Sequence, residues 1–134
     1  MNILKEIGVS PEKIIYGTSV KPSAHIKEFF KFGVDRFAFD SLSELEKIAS
    51  VVPGSKVYVR VSVNDIGSVF RFSEKFGTSI ESIAPLLIHA KELGLKPYGI
   101  SFHVGSQTSN PLAWANALQN LIPIMHDLKR ENIK

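Results

Sequence analysis

The chain has 134 residues, the size of one ordinary domain, and 44% of them are apolar, which is enough for a buried core. It has no cysteine, which excludes disulfides and thiolate zinc sites, and no metal site is expected. The net charge is +3, and the lysines and arginines are interleaved with acidic residues, so a nucleic-acid interface is not predicted. Neither a membrane-spanning run nor a signal peptide is recognised, and we expect a cytoplasmic protein without membrane partners.

Strands and helices are predicted to alternate along the first half of the chain. In order, the pattern predicts a helix tail stopped by Gly8, a short strand over 14–18, a helix from 21–23 to Gly33, and a strand over 36–40. Ser41 followed by Glu44 is typical of a capping box and predicts a further helix, which the Pro-Gly pair at 53–54 ends.

The second half continues the alternation. Residues 56–63, rich in β-branched side chains, are the strongest strand, and 64–77 is predicted to be a long irregular excursion. Thr78 with Glu81 resembles a second capping box, although Pro85 favours an ordered helix start nearer Ser82. A strand beginning at Tyr98 follows, and then a helix over 111–132 that Pro123 is expected to kink.

Four strand–helix alternations predict βαβ units and a parallel sheet. A closed (β/α)8 barrel needs roughly 250 residues. The chain has 134 residues and supplies about half of the units. Two interpretations follow: a small open α/β sheet, or a piece of a barrel.

One polar stretch follows the strand that begins at Tyr98. Gly105, Ser106 and Gln107 come directly after apolar residues, and Asn110 with Pro111 then begins the last helix. Ligands of α/β folds bind at the carboxyl ends of parallel strands. The order strand, polar loop, helix therefore makes this loop the candidate site.

The heptapeptide Ser-Phe-His-Val-Gly-Ser-Gln at 101–107 resembles the barrel domain of the ornithine/lysine/diaminopimelate decarboxylases, which use pyridoxal 5'-phosphate. The phenylalanine before the histidine and the valine after it are more similar to the ornithine/lysine branch. Further similar segments lie in the same order at 10–16, 39–41, 59–60, 72–77 and 90–93. The resemblance implies an α/β fold with parallel strands, a partial TIM-like (β/α)8 barrel of the alanine-racemase type.

The resemblance also implies site residues. His103 would lie flat against the cofactor ring as the catalytic residue, Ser106 would bind the phosphate, and Gly105 would let the backbone approach. Arg60 would lie near the cofactor, but a structural ion pair with a neighbouring strand is nearly as good an interpretation.

Two charged residues match family positions of subunit contact, Asp40 and Lys75, and helix capping and a solvated loop are their alternatives. The remaining histidines, His25, His89 and His126, are predicted at surfaces or helix ends. Trp114 is predicted in the core.

The function implied is that of a fragment of a decarboxylase of basic amino acids that binds a small amino-acid substrate. Ornithine is the first candidate substrate, giving putrescine for polyamine biosynthesis, and lysine and diaminopimelate are alternatives. The family's cofactor-binding lysine and its second β domain match no position here, so residues 1–134 are expected to be one partial barrel domain, inactive alone. The intact protein would be a homodimer. A catalytically inactive regulatory relative and a small cofactor-binding barrel protein are further alternatives.

Overall fold

A computed structural model describes residues 2–71, 73 and 75–133. The helices are α1 (Asn2–Glu6), α2 (Ser23–Lys31), α3 (Leu42–Val51), α4 (Ile83–Glu92) and α5 (Ala113–Arg130), the strands are β1 (Arg36–Phe39), β2 (Lys56–Val61) and β3 (Lys96–Phe102), and short 3-10 turns cover Pro11–Lys13 and Ile80–Ser82. Within the described ranges, none of the helices is long and apolar enough to cross a membrane.

The three strands form one parallel sheet in the order β1-β2-β3. The predicted strand over 14–18 is reduced to a single parallel bridge between Tyr16 and Phe37 at the outer edge of β1. Its backbone makes two hydrogen bonds there, from the N–H of Tyr16 to Arg36 and from the N–H of Ala38 to Tyr16. The sequence therefore overstates the length of this strand but places it on the correct neighbour.

Alternate residues of the strands build the core. Phe37 and Phe39 of β1 are fully buried, as are Val57 and Val59 of β2, because residues two apart in a strand point to the same face. They pack with the inward stripes of the helices, which include Leu45, Ile48, Ile83, Leu87 and Ala90. This core fixes the sheet, and the sheet fixes where its carboxyl-end loops lie.

The helix starts follow the predicted caps only in part. The hydroxyl of Ser41 accepts a hydrogen bond from the N–H of Glu44, as the first capping box predicts. The second box, Thr78 with Glu81, is wrong, because the 3-10 turn at 80–82 has Ser79 and not Thr78 as its cap residue, and Ser79 makes no side-chain cap hydrogen bond. Helix α4 begins at Ile83 and holds Pro85 in its first turn. Proline is tolerated there because backbone N–H groups of the first turn have no hydrogen-bond partner within the helix.

A charged pair lies sealed beside β1. Lys21 is 1% exposed and donates hydrogen bonds to the carbonyls of Thr18 (2.9 Å) and Ala38 (2.5 Å). Its Nζ is 3.0 Å from Oε1 of Glu44, which also pairs with Lys47. The side chain of Glu44 is thus engaged with two ammonium groups.

The irregular 64–77 segment lies over the carboxyl ends of the strands. Its Phe70 forms an antiparallel bridge with Ser106, beyond β3, and Thr78 just after it forms a parallel bridge with Val61 of β2. Gly77 is essential to this return because a Cβ there would lie 2.5 Å from the backbone nitrogen of Ser62. Phe72 and Glu74 of the family-like stretch at 72–77 lie outside the described residues.

Candidate functional site

The carboxyl ends of β2 and β3 bring two predicted site residues together. Arg60 is paired in register with Ser101, and His103 follows β3 directly. Both side chains line one small cleft, in which the Arg60 guanidinium lies 5.1 Å from the ring centroid of Phe76. Among the described residues no carboxylate forms an ion pair with Arg60. They therefore provide no partner for the structural ion pair that sequence analysis offers as the alternative role of Arg60.

His103 is exposed, and its ring is oriented by its own loop. The backbone N–H of Gly105 donates a hydrogen bond of 2.9 Å to Nδ1 of His103. An imidazole nitrogen that accepts a hydrogen bond carries no proton, so the proton of the neutral ring is on Nε2. The loop thereby selects one tautomer of a planar ring, with the proton on Nε2.

The backbone of Ser106 is held on both sides by the 64–77 segment. Its N–H donates to the carbonyl of Phe70 at 3.0 Å, and its own carbonyl accepts from the N–H groups of Val69 (3.1 Å) and Phe70 (3.4 Å). Ser106 itself is half-buried at the rim of the pocket. The hydroxyl that sequence analysis assigns to phosphate is therefore carried on a braced loop.

Gly105 makes this bracing possible. Its φ of +87° lies in the left-handed region, and a Cβ there would be 2.2 Å from Oγ of Ser68. The structure thus gives Gly105 a structural role, since its missing side chain admits the 64–77 segment, and its approach to a cofactor stays a prediction.

An open pocket of about 860 Å³ lies beside this loop. The loop 102–108 forms one part of it, and two aromatic side chains, Phe70 and Trp114, line the rest. The prediction of Trp114 in the core is wrong, because it is 50% exposed. The buried face of α5 follows Ala113, Ala117 and Leu121, and position 114 lies about 100° away from that stripe.

The donor set of the pocket fits pyridoxal phosphate. A planar imidazole and two aromatic walls suit a flat ring, and a loop of glycine and serine beside them suits a phosphate. Sequence analysis missed Phe70, and the signal was weak: an exposed aromatic in an irregular segment gives no periodicity.

The two predicted contact residues lie at the same edge of the sheet. Asp40 follows β1 and accepts a hydrogen bond of 3.0 Å from the N–H of Gly77, so its carboxylate ties β1 to the 64–77 segment. Lys75 is exposed on that segment. Their role between subunits stays a prediction.

The other histidines lie on helices away from this site. His25 and His126 are exposed. His89 lies near the end of α4, with Nδ1 3.0 Å from a carboxylate oxygen of Glu92.

Comparison with known proteins bears on this site. Residues 1–134 match the family described as pyridoxal-dependent decarboxylase, pyridoxal binding domain. The chain is 40% identical to an ornithine decarboxylase of Neurospora crassa over 114 residues, which are 85% of this chain and 24% of that protein. It is 35% identical to antizyme inhibitor 2 of Xenopus laevis over 90% of this chain and 26% of that protein.

A solved structure shows the same fold. The lysine decarboxylase of Selenomonas ruminantium superposes with a TM-score of 0.89 at 36% identity, over 98% of this chain and 35% of that one. The chain thus spans about a quarter to a third of the length of these relatives. Of the two interpretations from sequence analysis, the comparison confirms the piece of a parallel barrel and not the small open α/β sheet. The chain belongs to the pyridoxal-dependent decarboxylase family, and its residues 1–134 match the model of the pyridoxal-binding domain.

Proposed function

We propose that this chain is part of an amino-acid decarboxylase that uses pyridoxal phosphate and acts on a basic substrate, with ornithine as the first candidate. The observation that carries the proposal is the loop 103–106, where an oriented imidazole, a glycine and a serine line one pocket. The similarity to an ornithine decarboxylase supports the choice of substrate. Lysine is the alternative, supported by the structural similarity to a lysine decarboxylase.

Each residue of the pocket has a distinct task in this proposal. His103 presents its ring face to the cofactor and keeps its proton on Nε2, so that Nδ1 stays committed to Gly105. Ser106 donates its hydroxyl to the phosphate, and Arg60 adds a positive charge at the end of β2. Pyridoxal phosphate supplies an electron sink for the bond to the departing carboxylate when it is bound.

Subunit pairing is part of the proposal. Asp40 and Lys75 lie at the carboxyl edge of the sheet, the same edge as the pocket. A charged residue at this edge is available to a second subunit, and the proposed protein is a homodimer with Asp40 and Lys75 at the contact. Replacing Lys75 by Glu should then shift the protein from dimer to monomer in analytical ultracentrifugation, and unchanged sedimentation would remove Lys75 from the contact.

A regulatory binding protein is the second candidate, because the chain is similar to a protein named antizyme inhibitor as well as to decarboxylases. The two candidates differ in turnover. If the intact protein is a decarboxylase, it releases carbon dioxide from ornithine or lysine in the presence of pyridoxal phosphate, whereas an intact regulatory relative releases none from either.

The cofactor proposal is tested by fluorescence. Trp114 is the only tryptophan and lines the pocket, so binding of pyridoxal phosphate should quench its emission in the purified protein. In the intact enzyme, His103→Ala should lower turnover more than cofactor affinity, and Ser106→Ala should weaken affinity about tenfold. Ser79→Ala removes a hydroxyl from an exposed pair with Ser82 and serves as the matched control. Absence of quenching by pyridoxal phosphate at millimolar concentration would contradict the proposal.

A further inference from the structure

We propose that Asp65 is a positioning residue for the phosphate-binding loop and acts on Ser106 through the 64–77 segment. The proposal rests on the proposed role of Ser106. Asp65 does not line the pocket, and no motif of the sequence singles it out. It stands out in the structure as a carboxylate that is 3% exposed within an otherwise irregular, largely exposed segment.

The carboxylate of Asp65 holds the segment closed on itself. Its Oδ2 accepts a hydrogen bond of 3.0 Å from the N–H of Ser73, and its Oδ1 accepts one of 2.9 Å from the hydroxyl of the same residue. The carbonyl of Ser73 in turn accepts from the hydroxyl of Ser62, at 2.9 Å. A buried carboxylate requires such donors, and charge-assisted hydrogen bonds are about twice as strong as neutral ones.

The backbone of Asp65 fixes a tight turn in the same segment. Its carbonyl accepts from both the hydroxyl (2.8 Å) and the N–H (3.2 Å) of Ser68. Ser68 is the residue that fills the space left by the missing side chain of Gly105. The carboxylate closes the segment over eight residues, and the turn presents Ser68 to the candidate loop.

The closed segment then grips the candidate loop at two points. Val69 and Phe70 make the three backbone hydrogen bonds to Ser106. Farther along, the N–H of Ser109 donates to the carbonyl of Gly67 at 3.1 Å. The Asp65 carboxylate therefore acts on Ser106 through the backbone of the segment: it closes the segment at Ser73, and Val69 and Phe70 of the closed segment bind Ser106.

This arrangement has a specific energetic consequence. A loop that binds phosphate with one hydroxyl must hold that hydroxyl in place before the ligand arrives, because ordering it on binding lowers the affinity. Loss of the Asp65 carboxylate should loosen the loop around Ser106 together with the attached Phe70, and leave Trp114, near the start of α5, in place. Affinity for the phosphate of pyridoxal phosphate should fall, whereas affinity for pyridoxal, which has no phosphate, should not.

The experiment compares these two ligands by quenching of Trp114 emission in the purified protein. Asp65→Ala should weaken binding of pyridoxal phosphate about tenfold and change binding of pyridoxal less than twofold. Ser106→Ala should show the same selectivity, and Ser79→Ala should resemble the wild type. In hydrogen exchange without ligand, Asp65→Ala should speed exchange of the Ser106 amide, which donates to Phe70. If Asp65→Ala does not fold, Ser73→Ala removes only the Oδ1 bond and should show a smaller selective loss.

Two results would overturn the proposal. Unchanged affinity for pyridoxal phosphate in Asp65→Ala and Ser73→Ala would show that the clamp does not act on the phosphate. An equal loss for pyridoxal and pyridoxal phosphate would show a general structural effect. If the wild type binds no pyridoxal phosphate, the proposed function fails too, whereas wild-type binding with an unaffected Asp65→Ala variant refutes the positioning role alone.

Discussion

The ammonium of Lys21 and the carboxylate of Glu44 lie 3.0 Å apart, and both side chains are almost completely sealed from solvent. Burial lowers the pKa of Lys21, because it disfavours the charged form, and the hydrogen bond and charge of Glu44 oppose that shift. A buried ion pair with one partner removed leaves an uncompensated charge, which is far worse than removal of both.

The first prediction concerns this pair. Lys21→Met should lower the free energy of unfolding by about 3 kcal/mol, and Lys21→Met combined with Glu44→Leu should lower it by less. Urea denaturation measures both. Lys56→Met is the matched control, since Lys56 pairs with Asp35 in a contact that is more than a third exposed, and its loss should be under about 1 kcal/mol. Equal losses for Lys21→Met and Lys56→Met would contradict the prediction.

The second prediction concerns pH. Burial raises the pKa of Tyr58 to about 12, with Arg60 opposing the shift. Between its ordinary pKa of 10.0 and about 12, the unfolded chain loses the phenol proton that the folded chain keeps. The stabilisation is complete below pH 10 and is lost as the pH rises through this window.

The measurement is the free energy of unfolding from pH 9 to 12, in wild type and in Tyr58→Phe. Above pH 10 the free energy of unfolding of the wild type should fall steadily relative to that of Tyr58→Phe. The opposite slope that Lys21 contributes is common to both and cancels. A Tyr58→Phe curve parallel to that of the wild type would refute the assignment.

The third prediction is the tautomer of His103. In the neutral ring the proton should be on Nε2, because Nδ1 accepts from Gly105. Nitrogen NMR of the imidazole should show an unprotonated Nδ1, with exposed His25 as the unconstrained comparison. A neutral His103 with the proton on Nδ1 would mean that the hydrogen bond from Gly105 does not exist in solution.

The fourth prediction separates steric from conformational effects at Gly105. Gly105→Ala should lower the free energy of unfolding by about 1–3 kcal/mol, because both the positive φ and the clash with Ser68 act against alanine. Adding Ser68→Gly should restore part of the loss.

Gly54→Ala is the control for this experiment. Gly54 also has a positive φ, +78°, but a Cβ there would meet nothing within 4 Å. Gly54→Ala should lower the free energy of unfolding by about 1 kcal/mol, because only the backbone conformation acts against alanine there. If Gly105→Ala loses no more than Gly54→Ala, the close approach of Ser68 is not a constraint.

The strands and the candidate loop were accessible to sequence reasoning because their signals are local. The strand of valines at 56–61 and the switch from apolar to polar residues after Phe102 depend on neighbours in sequence. Glu44 shows where local reasoning fails. Its position predicts a reciprocal cap with Ser41, but its side chain contacts Lys21 and Lys47 instead. Two buried or half-buried ammonium groups attract a carboxylate more strongly than one backbone N–H.

The contacts that brace the candidate loop could not be predicted, because they join residues that are far apart in the sequence. Asp65, Ser68 and Phe70 lie in a segment without periodicity, and Gly105 and Ser106, which meet Ser68 and Phe70, are more than thirty positions away. Nothing in a single sequence couples such positions. Trp114 was misplaced because an indole is usually buried, and only the register of α5 places it off the buried face.

The long reach of these contacts also sets an order of events during folding. The bridge between Phe70 and Ser106 closes a large loop of chain, as does the hydrogen bond from Gly77 to Asp40. Each closure lowers the conformational entropy of the chain, and few hydrogen bonds offset that loss. Helices and the β1–β2 pair join nearer neighbours and form sooner. The pocket consequently assembles after them, and on a ribosome it cannot form until residues well beyond Ser106 have left the exit tunnel.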